Sequence, residues 1–307
     1  TGIVVIAIAA KAGVFPVYTW LPRTYPSTSA AVMGLFSGLH TKVAVYMLYR
    51  LYVQLFGLDQ RWNVLIIVIM IISMMIGAFG GLAENSIRRV LGYQMLNGMP
   101  FILVMLAFTS DDPRRALAAG IMYTIHHMLT VGSLILASGA IEETYGTGLL
   151  SKLSGLARRD PIIAWIFAAG AFSVVGFPPF SGMWGKLMIV FEIARVGGAW
   201  AWIAIAAIII ASFAAFLAML RVWRKVFWGK GLPEDKVPDE LVIRKKLMAP
   251  SAALILGSLC MFIFSGIVLD VVDAAAEQLL DTNAYTETVL GDEPIAVPNI
   301  DEIQEGR

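Results

Sequence analysis

Eight stretches of this chain are too long and too apolar to sit anywhere but in lipid, and that decides the fold class before any motif is read. Residues 63–83 (NVLIIVIMIISMMIGAFGGLA) carry no charged side chain, and every stretch is long enough to cross a hydrocarbon layer of about 30 Å. They run over 1–20, 28–56, 63–83, 88–108, 115–140, 161–192, 198–227 and 247–272. Charged residues make up only 15% of the 307, where a soluble chain carries about a quarter, and the mean hydropathy is +0.76. No run alternates with period two, which excludes a β-barrel. The expectation is an all-α polytopic membrane protein with eight transmembrane helices: a bundle over 1–272, then an acidic, amphipathic extramembrane tail over 273–307. The chain opens at Thr1 inside an apolar run, as a longer protein cut within a helix would.

Three lysines interrupt this lipid-like background. Lys11 lies in TGIVVIAIAAKAGVFPVYTW, Lys42 in MGLFSGLHTKVAVYMLY and Lys186 in PPFSGMWGKLMIVF. A lysine near a bilayer centre costs roughly 2.5–3.5 kcal/mol on insertion scales, so three cost on the order of 8–10 kcal/mol before any pairing. Such residues face a partner or water, and they ordinarily mark an ion or proton pathway. Snorkelling to the interface is the alternative, and it needs a helix end close by. Lys42 lies well inside its segment.

Charge also predicts topology. If the spans alternate, fourteen basic residues fall on one side: Arg23, Arg88, Arg89, Lys152, Arg158, Arg159 and eight in the seventh loop, Lys236 among them. Six (Arg50, Arg61, Arg114, Arg115, Arg195, Arg307) fall on the other, and the three buried lysines complete the 23. The richer side belongs in the cytoplasm, which puts the tail outside. Two helices are expected to be broken, around Pro16 and around Pro178-Pro179, each proline freeing a carbonyl four residues back, at Ala12 and Val175. Discontinuous helices mark transporter sites, and two of them five spans apart are what an inverted repeat produces.

The fifth span carries YTIHHMLT. Tyr123 and His127 are one turn apart, as are His126 and Thr130, so two polar pairs occupy neighbouring strips of one helix. Histidine titrates near neutrality and both donates and accepts, which suits a relay. His40 precedes Lys42 by two residues and points to another face, either in the pathway or as a helix contact. Burial disfavours a charged amine and a nearby carboxylate restores it, so a buried lysine releases its proton when the partner moves away. No carboxylate lies at comparable depth: Glu84, Glu142 and Glu143 are at loop edges and Glu192 near a span's end. The single cysteine, Cys260, excludes a disulfide framework and a zinc cluster. A net charge of +1 gives no sign of nucleic acid, and no phosphate loop, nucleophile elbow or metal cluster is present, so neither enzyme nor cofactor is expected.

These segments resemble a known family. KAGVFPVYTWLPRTYPSTSAAVMGLFSGLHTKVAVYMLYR is similar to the KAxxFPxHxWLPxAxPxAPSxVSAxLSGxxTKVGxYxLxR block of the antiporter-like subunits of respiratory complex I, membrane-bound hydrogenases and Mrp sodium/proton antiporters. IRRVLGYQMLNGMPFILV resembles IKRLLAYSSISQxGYIL, and GFPPFSGMWGKLMIVFEI resembles GLPPxSGFxGKxxI. The ending, DAAAEQLLDTNAYTETVL, looks like AAxQLLDPxxYIxAVL of the Mrp D-type subunit. The resemblance implies a fourteen-helix, inverted-repeat fold of which this chain supplies the last eight helices. It also implies a glutamate upstream of Thr1 as the partner of Lys11. By position, Lys11 is the lysine of the broken seventh helix, Lys42 that of the eighth, His127 the relay histidine of the eleventh and Lys186 the terminal lysine of the twelfth. Two positions depart: the relay lysine expected at 131 is Val131, and the histidine after the first break is Tyr18. His126, His127 and Thr130 then carry the central step through water, or the step is weakened.

The resemblance implies an ion-translocating subunit of a multisubunit antiporter in a prokaryotic cell membrane, exchanging H+ and Na+ and working only with its sister subunits. Amines and imidazoles suit protons better than the oxygen cages sodium prefers. Two other readings stand beside it: the pumping subunit of a quinone-reducing complex or hydrogenase, separated by dependence on an electron donor, and a non-transporting scaffold, separated by tolerance of alanine at Lys11 or Lys186.

Overall fold

A computed structural model describes residues 2–231 and 241–291; Lys236, Arg307 and the tail beyond 291 lie outside the described residues. The helices are α1 (Gly2–Ala12), α2 (Trp20–Thr24), α3 (Ala30–Leu35), α4 (Thr41–Gln54), α5 (Asn63–Ala83), α6 (Ile87–Leu103), α7 (Pro113–Tyr145), α8 (Leu156–Arg159), α9 (Pro161–Val175), α10 (Ser181–Val196), α11 (Gly198–Val222), α12 (Lys245–Ile263), α13 (Ser265–Leu280) and α14 (Thr282–Leu290). Among the described residues the extended pairing amounts to one bridge, Ser86 with Leu149.

Among the described residues six helical stretches are long and apolar enough to cross a membrane: Ala30–Gln54, Gln60–Ala83, Ile87–Ala107, Pro113–Tyr145, Gly198–Phe227 and Lys245–Ile263. The first and sixth expected spans are absent from this set because each is interrupted. Helix α1 stops at Ala12, where Gly13 takes φ +76°, and α9 stops at Val175, where Gly176 takes φ +102°. The Gly176 amide closes α9 on Phe172 O at 3.0 Å, a left-handed cap that only glycine adopts without strain. Helices α3 and α4 form one span through a π turn at Phe36–His40. The last expected span divides at Phe264, and α13 continues through position 272 with Val272, Ala276 and Leu279 buried one turn apart.

Packing inverts the pattern of a soluble protein. Helix α11 turns Trp202, Ile209 and Phe213 outward and buries Ala201, Ala204, Ala211, Ala215 and Ala218 against its neighbours, including α5. Lipid tails are as apolar as leucine, so burying large side chains gains little, and small residues that let helices approach closely decide the interface. Helices α5 and α6 make the same kind of contact, with Gly77 against the backbone of Asn97.

Two apolar cores result. One collects α1, α4, α5, the C-terminal half of α6, the start of α7, α10, the first half of α11 and α13. The other collects α2, α3, the N-terminal half of α6, the end of α7, α8, α9, the end of α11 and most of α12. Helix α7, 33 residues and about 50 Å long, runs through both. Between the cores lies a polar belt at mid-span. Lys42 is the thirteenth of the 25 residues Ala30–Gln54, His127 the fifteenth of the 33 in α7, and Asn97 the eleventh of the 21 in Ile87–Ala107.

The loops expected to share the basic side are gathered at one end. Arg88 bonds Thr28 O and pairs with Glu142 at 2.7 Å; Ile87 N bonds Gly148 O at 3.0 Å; Gly155 N bonds Trp228 O at 3.1 Å. Arg221 reaches Glu84 O and Asn85, and Asp160 accepts from Ile243 N at 2.9 Å. Charge counting places these same segments together.

A Cβ on Gly77 would stand 2.5 Å from Asn97 N, whereas one on Gly81 meets nothing nearer than 3.3 Å. Gly77→Ala is expected to destabilise the fold by about 1–3 kcal/mol and Gly81→Ala by less. Thermal unfolding of the complete complex in detergent, followed by loss of the monodisperse chromatographic peak, checks the order of the two.

Candidate functional site

Each buried amine of the belt ends on a backbone carbonyl that a helix defect has released. In the α-helical pattern Thr41 N bonds Ser37 O; in the π turn it bonds Phe36 O, five residues back. Ser37 O instead takes Lys42 Nζ at 2.7 Å. Val175 O is the last carbonyl of α9, left without an intrahelical donor because the helix ends at Gly176, and Lys186 Nζ occupies it at 2.8 Å. Lys186 also donates to Ser212 Oγ at 2.8 Å and stands 5.2 Å over the Phe101 ring. At the first break Trp20 Nε1 holds Ala10 O at 2.8 Å.

Lys42 faces α7, and its Nζ lies 2.9 Å from His127 Nδ1 with both side chains buried. One nitrogen donates and the other accepts, so the bond does not survive with both groups fully protonated. Among the described residues neither Lys42 nor Lys186 meets a carboxylate. Gly98 sets the position of the His127 ring: a Cβ there would lie 1.9 Å from Nε2.

His126 turns the other way, its Nδ1 2.9 Å from Ser181 Oγ and 3.3 Å from Thr130 Oγ1. Tyr123 sits between the two imidazoles, its ring 5.2 Å from His126 and 6.2 Å from His127, and stacks on Phe101 at 5.2 Å. The stacked pair makes an apolar partition between Lys186 and the Lys42–His127 contact. His40 points away from Lys42, as its spacing implies, and its Nδ1 lies 2.8 Å from Tyr25 OH beside Trp20. Lys11 ends the first half-helix, partly buried, and makes no hydrogen bond or ion pair among the described residues. Val131 is buried in the second core.

The structure therefore brings Lys42 to His127 and Thr130 to His126, and leaves Lys186 one helix away and Lys11 with His40 in a separate corner. Ser37, Phe101, Ser173, Ser181, Ser212 and Ser258 join the site although sequence reasoning passes over them. Their one signal is a hydroxyl or aromatic ring at the level of a lysine on a neighbouring span. Gln94, whose backbone oxygen lies 3.4 Å from His127 Nε2, and Asn97 carry buried amide atoms without protein partners.

These features define an α-helical polytopic membrane protein with a buried Lys/His belt between two broken helices. Residues 1–215 match the family model described as NADH:quinone oxidoreductase/Mrp antiporter, TM, and the chain belongs to that family. It is 32% identical over 290 residues to the D-type subunit of the Na(+)/H(+) antiporter of Bacillus subtilis (strain 168), a match covering 94% of this chain and 57% of that protein. It is 31% identical over 242 residues to the N-type subunit of the NADH-quinone oxidoreductase of Hydrogenovibrio crunogenus, covering 78% of this chain and 49% of that protein. A chain of the Mrp complex from Dietzia sp. DQ12-45-1b superposes with a TM-score of 0.86 at 33% identity, over 94% of this chain and 61% of the other. The chain thus spans roughly half to three-fifths of the length of these relatives.

Gly98→Ala is expected to push His127 out of hydrogen-bond distance of Lys42 while the helices stay in place. A density map of the variant complex checks this, and an unmoved ring refutes it.

Proposed function

We propose that this chain is part of an ion-translocating subunit of a multisubunit Na+/H+ antiporter, a transporter component rather than an enzyme. In this reading the two broken helices complete eight spans alongside the six continuous ones and belong to an inverted-repeat arrangement. The bundle over 1–272 sits in a prokaryotic cell membrane with its basic end in the cytoplasm and the tail 273–307 outside. Its partners are the sister subunits of the complex. H+ is the ion assigned to this chain, with Na+ moving elsewhere in the assembly, and no cofactor takes part.

The observation that carries this is the 2.9 Å contact between Lys42 Nζ and His127 Nδ1 at the middle of both spans. An amine and an imidazole in one hydrogen bond, with no carboxylate beside them among the described residues, hold a proton that either nitrogen can release. On each side stand further groups of the same chemistry: Lys11 and His40 at one break, His126 and Lys186 at the other. The bonds of Lys42 and Lys186 to released carbonyls keep the neutral and charged amines both hydrogen-bonded. The likeness to an NADH-quinone oxidoreductase component supports a second reading, a pump driven by electron transfer, which shares every buried group.

Sodium-induced collapse of a pre-formed pH gradient in inverted vesicles carrying the whole complex separates these readings. Sodium alone is expected to dissipate the gradient, and Lys42→Ala or Lys186→Ala to slow this about tenfold or more at normal accumulation. Pumping that requires an electron donor, with no response to sodium, transfers the assignment to the redox complex. Alanine variants that exchange like wild type make the belt a scaffold.

A further inference from the structure

A second polar assembly lies beside the lysines. His126 Nδ1 is 2.9 Å from Ser181 Oγ; Ser181 Oγ is 2.7 Å from Ser258 Oγ; Ser258 Oγ is 3.0 Å from Ser173 Oγ; Ser173 Oγ is 2.8 Å from Thr130 Oγ1. Thr130 Oγ1 comes back to within 3.3 Å of His126 Nδ1, and the Ser181 amide donates to Ser258 Oγ at 3.3 Å. All five side chains are 0–1% exposed, and they come from four helices, α7, α9, α10 and α12.

Counting protons shows what the assembly can do. Each hydroxyl owns one hydrogen and accepts another, whereas Nδ1 either donates or accepts and never does both. The series Nδ1–Ser181–Ser258–Ser173–Thr130 therefore has two complete fillings. With a hydrogen on Nδ1, all four bonds point away from the imidazole; without it, all four point towards it. Both fillings make the same number of bonds. A single serine would also accept from Nδ1–H, but its own hydrogen would then have to be placed beside the imidazole. Here that hydrogen is displaced along three more oxygens to Thr130 Oγ1, the last of the series.

We propose that this hydroxyl chain allows His126 to change its protonation state in the sealed interior, with Ser258 at its centre as a positioning residue. The proposal rests on the antiporter reading. Neutral His126 with its hydrogen on Nε2 takes up one proton and becomes an imidazolium with hydrogens on both nitrogens; Nδ1 then donates to Ser181 and the chain reverses. Release of one proton restores the first state, and nothing else is exchanged. The final span, α12, thereby takes part in proton movement although it carries no titratable group in the belt.

A control is built into the same helix pair. Ser133 and Ser251 also tie α7 to α12, with Oγ atoms 3.1 Å apart and each bonded to the other's carbonyl, but they reach no titratable side chain. In vesicles bearing the whole complex, Ser258→Ala and the isosteric Thr130→Val are expected to slow sodium-driven gradient collapse about tenfold at wild-type accumulation. Ser258→Thr should recover most of the rate, and Ser251→Ala should exchange within about twofold of wild type. The proposal falls if Ser258→Ala and Thr130→Val both exchange normally, or if Ser251→Ala is as slow as they are, which would make the serines packing contacts. Should Ser258→Ala fail to accumulate, Thr130→Val decides alone, because it removes a hydroxyl without opening a cavity. A wild-type complex that ignores sodium overturns the antiporter reading itself, and the hydroxyl chain as a transport element with it.

Discussion

A buried ammonium needs acceptors, and a regular helix has none to offer, because every interior carbonyl already holds an amide. The structure resolves this by spoiling the helices beside the lysines. The π turn withdraws Thr41 N from Ser37 O, and the end of α9 at Gly176 leaves Val175 O without an amide; the two carbonyls released are those on which Lys42 and Lys186 end. The lysines and the defects need each other, since a carbonyl bare in lipid costs several kcal/mol on the same reasoning that makes the amine costly. The breaks, the belt and the division of the bundle into two cores follow from that reciprocal requirement.

Neutral acceptors have a further effect. A carboxylate partner would pin the positive charge on the amine, while a carbonyl or a serine oxygen binds an amine well in either charge state. Lys42 and Lys186 each have such acceptors, and each has an aromatic or imidazole ring for its remaining contact. The Phe101–Tyr123 stack then separates the two amines, so that the belt is a series of stations and not one unbroken hydrogen-bonded line.

Much of this is legible in the sequence. Pro16 and Pro178-Pro179 announce the breaks, and the carbonyl inferred to be freed at Val175 is the one Lys186 takes. Charge counting groups loops that the Arg88–Glu142 and Arg221–Asn85 contacts do bring together. The spacing of Tyr123, His126, His127 and Thr130 gives two strips; the structure turns His127 to α4 and His126 to α10, while Tyr123 packs on Phe101 of α6 and Thr130 bonds Ser173 of α9. The π turn is not legible, because FSGLHTK contains no proline to mark it. Nor are the serines. Ser73 and Thr124 sit in equally apolar helices and bond back to the carbonyls of Ile69 and Gly120 at 2.8 Å, so nothing local distinguishes them from Ser258. Only the tertiary meeting of four helices does.

The length of α7 has a mechanical implication. It is seated in both cores, with both imidazoles at the junction between them, and sliding it would shear the packing at its two ends together. The elements opposite are jointed: α4 hangs from a π turn and α10 from a proline break, and each joint is next to a lysine. A displacement at either joint would therefore carry a lysine past an imidazole that stays where the two cores hold it.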